Sequence, residues 1–194
     1  IFSNSSNAFY ASSSNFASLL NSTASSNTFP AVFASASDSM TIANSTVFSS
    51  ANASVYFSSS NLNNITNSTL ISNIDYGLIF WTSINNRIVN SSVQAVNTTI
   101  YCYSNATFVN TTFNRSGIGW DLLSFFAVCA DLGGPPINNI SVQWYVNFTV
   151  DRVGGSPIAS ASINATPATG GAAVYKGTTD SKGDVEALTA LTEF

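Results

Sequence analysis

Apolar residues recur along the first half of the chain at a step of 23 positions. One column runs Ile1, Ala24, Val47, Leu70, Val93, a second Phe9, Val32, Val55, Leu78, Tyr101, and a third Leu19, Ile42, Ile65, Ile88. Each column residue sits in a short β-branched or aromatic run, with small polar residues between the runs. The polar positions keep the same step. Asn-Ser-Thr begins at Asn21, Asn44 and Asn67, Asn-Ser-Ser follows at Asn90, and a serine column runs Ser14, Ser37, Ser60, Ser83. After Asn90 the step shortens to 20, because the pattern reopens at Asn110.

Three short strands per 23-residue unit predict a parallel β-helix, each coil stacking on the last at strand spacing. Helical repeats need longer units with a 3.6-residue period, and Ser, Thr and Asn fill helices poorly. The expectation is an all-β chain. It comprises a right-handed parallel β-helix of about five coils over residues 1–117, an apolar covering segment and linker over 118–137, and a small antiparallel β-sandwich over 138–194. The serine column is expected to line an outer turn.

In the second strand of each coil only one of two apolar sets can face inward. With Val32, Val55 and Leu78 inside, Tyr10, Phe33, Tyr56 and Ile79 form an outer stripe that needs a cover. The most apolar stretch, 119–129, is the expected cover. Cys102 continues the outer stripe and Cys129 ends the cover, so a Cys102–Cys129 disulfide is expected to pin one to the other. Closing that 26-residue loop is worth about 3 to 4 kcal/mol in the chain-entropy estimate.

Composition changes the picture in one respect. The chain has 194 residues with 5 basic and 9 acidic side chains, no histidine and two cysteines, yet 45% of it is hydrophobic. That is enough apolar surface for a core and too few cations for a nucleic-acid partner. No run reaches the roughly 20 apolar residues of a membrane span, and the amino end lacks the basic-then-apolar pattern of a signal peptide; in an exported protein Ile1 would be a processed or truncated start. Solubility has to come from Ser, Thr and Asn, or from what they carry. Of the 23 asparagines, 14 stand in the N-x-S/T acceptor pattern, whereas the Ser and Thr content alone gives about 6.

The excess points to a secreted, N-glycosylated surface, with covalent glycans and no other cofactor. The expected sugar sites are Asn4, Asn52, Asn64, Asn97, Asn105, Asn114, Asn139, Asn147 and Asn164. The off-register Asn52, Asn105, Asn147 and Asn164 are the firmest. The column Asn21, Asn44, Asn67, Asn90 and Asn110 has two open readings: a hydrogen-bonded amide ladder, or a row of sugars crowded at ~4.8 Å spacing.

Catalysis is not expected. Polysaccharide-cleaving β-helices need clustered carboxylates or a basic group. The coils offer only Asp38, Asp75 and Arg87, which do not share a register. Without histidine there is no Ser-His-Asp triad, and two cysteines alone make no zinc site. Asp151, Asp180 and Asp184 read as turn residues ahead of calcium ligands.

Beyond Gly133-Gly134-Pro135-Pro136 the composition shifts. A strand at 141–150, an Asp151-to-Gly154 turn, Pro157, a small-residue strand and a Thr179-Asp180-Ser181-Lys182-Gly183 hairpin follow. Over residues 141–194 this resembles the carboxypeptidase-regulatory-like, transthyretin-like family of small β-sandwiches. Gly183 is expected to take the positive φ of the hairpin. The family has further strands after it, which leaves the sandwich incomplete, completed by another subunit, or cut at Phe194. A sequon-dense β-helix with such a sandwich resembles archaeal cell-surface proteins of surface-layer, sheath and extracellular filament type. That resemblance implies an extracellular, cell-surface homopolymer of identical subunits joined through open β edges. The alternative is a glycan-binding or adhesive β-helix using Tyr56, Trp81 and Tyr103 as sugar platforms.

Overall fold

The computed structural model describes residues 1–74, 76–101, 104–114, 118–119, 139–146, 149–165, 175–184 and 189–193. The chain divides into two compact units, 1–141 and 142–194.

The first unit is a parallel β-solenoid. Its first coil is β1 (Phe2–Ser3), β2 (Phe9–Ser12) and β3 (Ser18–Leu20), and its second is β4 (Thr23–Ser26), β5 (Val32–Ser35) and β6 (Thr41–Ala43). The third is β7 (Thr46–Ser49), β8 (Val55–Ser58) and β9 (Asn64–Thr66), and the fourth is β10 (Thr69–Ser72), β11 (Tyr76–Trp81) and β12 (Asn86–Val89). The last is β13 (Ser92–Gln94), β14 (Asn97–Tyr101) and β15 (Asn105–Val109), after which β16 (Ile118–Gly119) pairs with β14. The first, second and third strands of the coils stack into sheets A, B and C.

Sheet registers follow the repeat: Ala24 lies beside Val47, Val32 beside Val55, Ile42 beside Ile65. Residues one step apart therefore present the same face, and the apolar columns close on one another as a dry core. Val47, Leu70, Val32, Val55, Leu78, Ile42, Ile65 and Ile88 are fully buried, with Phe57 and Phe80 stacked among them at 5.8 Å. Burying each such side chain contributes about 1.5–3 kcal/mol.

Two expectations change. The solenoid makes about four turns where about five coils are expected, since the five stacked strands of a face span four coil-to-coil steps. Tyr101 also does not continue the Leu78 column; it pairs with Trp81, and Thr99 pairs with Ile79. Of the three residues by which the coil shortens, two are lost at the corner between β13 and β14, where the step falls from 23 to 21, and the third at a bulge between Tyr76 and Ile79, where it falls to 20. Gly77 lies at that bulge. A Cβ there would run into Val93 Cγ1 and press on Ala95 Cβ, so the tightened corner favours glycine.

The second unit is antiparallel. β17 (Asn139–Val146), which crosses the division between the units, pairs with β20 (Thr189–Glu193), and β18 (Ser162–Ala165) pairs with β19 (Tyr175–Thr178). These ladders are the antiparallel β structure that the described residues of the second unit show. The turns are as the sequence implies. Asp151 bridges Pro157 around Gly154 and Gly155, both at positive φ, and Gly183 has φ 79°. An added Cβ at Gly183 would lie 2.6 Å from the Val150 carbonyl.

The expected cover over 120–129, the Cys102–Cys129 disulfide, and Asp75 and Tyr103 lie outside the described residues. Among the described residues no helix is long and apolar enough to cross a membrane.

Candidate functional site

Two of the three corners of each full coil turn on left-handed residues, and those two share one construction. At the corner between sheets B and C, Ser13, Ala36, Ser59 and Thr82 have φ of 48–50°; at the corner between C and A, Asn21, Asn44, Asn67, Asn90 and Asn110 have φ of 44–49°. A hydroxyl residue follows in every case. Its Oγ donates to the carbonyl two residues back, as Ser37 does to Ser35 and Ser45 to Ala43. The same oxygen accepts the backbone amide one coil earlier.

Two continuous ladders result. One runs Ser14, Ser37, Ser60, Ser83, Ser104 at 3.0–3.1 Å. The other runs Ser22, Ser45, Ser68, Ser91, Thr111 at 3.1–3.3 Å. Ser60 is fully buried, so this serine column lines the interior and not an outer turn. Parallel strands leave corner amides without partners, and the hydroxyls satisfy them.

The column asparagines are all exposed. Asn67 donates its side-chain amide to Asn44 Oδ1 at 3.3 Å, and Asn110 donates to Asn90 Oδ1 at 2.9 Å. Amide pairing and an open surface thus coexist at this corner. The buried asparagine ladder is elsewhere, at a step the sequence analysis missed. Asn63 Oδ1 accepts the Met40 amide, and Asn63 donates both its backbone and side-chain amides to Asn86 Oδ1. Met40 one step before breaks the chemical likeness that reveals a column.

Other expected sugar sites are less open. Asn4 and Asn114 are exposed, but Asn52, Asn64 and Asn105 are half-buried. Asn52 Oδ1 accepts the Ala53 amide, Asn105 Oδ1 accepts the Asn85 amide at 2.6 Å, and Asn64 Oδ1 is buried with no hydrogen-bond partner. Asn97, Asn139 and Asn164 stand on β14, β17 and β18; Asn147 lies outside the described residues.

The carboxylates serve the backbone. Asp38 Oδ1 accepts the Asn61 amide one coil on, continuing a column in which Asn15 accepts from Asp38 and Asn61 from Ile84. Asp180 Oδ1 accepts the amides of Lys182 and Asp184, and Thr149 donates to Asp184. Arg87 is exposed on β12. Among the described residues no group of three His, Cys, Asp or Glu side chains could hold a metal ion.

The outer face of sheet B carries the expected aromatic stripe. Tyr10 and Phe33 lie 5.5 Å apart and Phe33 and Tyr56 5.1 Å, centre to centre. Exposure falls along it, from 59% at Tyr10 to 8% at Ile79. Burial pushes the Tyr56 phenol above its ordinary pKa.

No family model, curated protein or solved structure matches this chain.

Proposed function

We propose that the chain is a structural, non-enzymatic subunit of a glycosylated extracellular surface assembly, of the archaeal filament, sheath or surface-layer type. Identical subunits join by β-edge pairing, the second unit belongs to a small β-sandwich, and N-glycans replace the charge that the surface lacks.

One observation carries this reading. The corner between sheets B and C builds the same left-handed residue and the same inward hydroxyl with Ser13, Ala36, Ser59 and Thr82. The residues two places on are Asn15, Asp38, Asn61 and Ile84. The corner between C and A uses Asn five times, followed two places on by Thr23, Thr46, Thr69, Ser92 and Thr112. Left-handed geometry favours Asn but does not require it, as Ser13, Ala36, Ser59 and Thr82 show, and it does not select the second hydroxyl, which in β4, β7, β10 and β13 opens the strand. An acceptor sequence needs both. Exposed apolar side chains at Ile1, Phe2, Tyr10, Phe16 and Leu20, with no charged side chain between Ile1 and Asp38, support contact with a further strand ladder stacked on β1–β3, whether of this chain or of a second copy.

Electron microscopy of native material tests the assembly. Ordered polymers or lattices are expected; uniformly dispersed monomers at native concentration would contradict it.

A further inference from the structure

We propose that the outer face of sheet B binds a neutral oligosaccharide along the solenoid axis, through Tyr10, Phe33 and Tyr56 and the serine column beside them. The proposal does not rest on the assembly reading.

The face consists of two matched columns. Tyr10 lies beside Phe33 and Phe33 beside Tyr56; two residues on, and on the same side of each strand, Ser12 lies beside Ser35 and Ser35 beside Ser58. The rings are tilted 34° and 54° to one another, so they offer a continuous but stepped apolar surface. The Ser12, Ser35 and Ser58 hydroxyls make no hydrogen bond among the described residues, whereas the inward Ser37 and Ser60 hydroxyls each donate one and accept one.

A partner for this face must offer apolar patches and hydroxyls together, at the pitch of the coils. A pyranose does so: its C–H face packs on an aromatic ring while its rim hydroxyls pair with serines. One ring is about as long as one strand spacing, so an extended chain places successive sugars on successive coils. Charge selects the ligand further. No charged side chain lies on these three strands, and Asp38 is the only one before Asp75. Nothing compensates an ionic ligand, and desolvating its charge opposes binding.

The test is calorimetric titration of the 194-residue chain, produced without glycans, with cellohexaose, mannohexaose and chitohexaose. Saturable binding of at least one is expected, with Kd of order 1 mM or tighter and unchanged in 0.5 M salt, where a Debye length shortened to about 4 Å has no ion pair to weaken. Tyr10→Ala and Ser12→Ala, both at exposed positions, should each weaken it, the tyrosine change at least about tenfold. Phe16→Ala, exposed but off the stripe, should not. Absence of binding to all three sugars, binding that survives both stripe variants, or binding abolished by salt overturns the proposal. Tyr10→Ala and Ser12→Ala are independent, so misfolding of one leaves the other decisive.

Discussion

The hydroxyl of Ser60 accepts the backbone amide of Ser37 at 3.0 Å, one coil earlier, while donating to the carbonyl of Ser58 at 2.9 Å. One small side chain thus closes two main-chain valences inside the solenoid. Ser60→Ala should strand the Ser37 amide in a buried corner, while the Ser58 carbonyl keeps the Ala36 amide, and cost about 1–3 kcal/mol. Ser5→Ala, at an exposed position, should leave urea denaturation unchanged. Equal midpoints for the two variants would contradict the interior ladder.

Gly77 and Val93 share the tightened corner. Gly77→Ala should cost about 1–3 kcal/mol through overpacking, and Val93→Ala in the same chain should recover part of that cost. A double-mutant cycle reads the coupling directly. Strict additivity would mean that the two residues do not meet.

Leu62 holds φ 58° with 57% of its surface exposed. A left-handed conformation costs a side chain other than glycine about 1–2 kcal/mol, and asparagine tolerates it best. Leu62→Asn should therefore raise the unfolding midpoint, gaining up to about 1 kcal/mol. A lower midpoint would mean that Leu62 makes apolar contacts worth more than its backbone strain.

The Tyr56 phenol is half-buried and its pKa lies above the ordinary 10.0 because burial disfavours the phenolate. A folded-state pKa above the unfolded value means that this contribution is fully present below pH 10 and is lost as pH rises through the folded pKa. Stability should fall more steeply above pH 10 in the natural chain than in Tyr56→Phe. Parallel pH profiles would contradict the burial.

The core was legible because apolar side chains at a constant step can only stack. Ala24, Val47 and Leu70, or Ile42, Ile65 and Ile88, name their own column. The serines were visible as a column but not as an interior one, since composition does not say which way Ser60 points; the corner amides decide it. Asn63 and Asn86 escaped notice because Met40 occupies the preceding step and supplies only its backbone. The Tyr101 register is not legible because the Asn90-to-Asn110 step shows that three residues are lost without showing that two go at the β13–β14 corner and one at the bulge beside Gly77. At the site, the asparagine column was plain in the sequence, but its exposure and its shared geometry with Ser13, Ala36, Ser59 and Thr82 required the backbone.

Site-resolved glycopeptide mass spectrometry on native protein tests the central claim most directly. The account predicts sugar on asparagines of the exposed corner column, Asn21, Asn44, Asn67, Asn90 and Asn110, at higher occupancy than on half-buried Asn52, Asn64 and Asn105. A column found bare, whether the rest of the chain carries sugar or not, would contradict it.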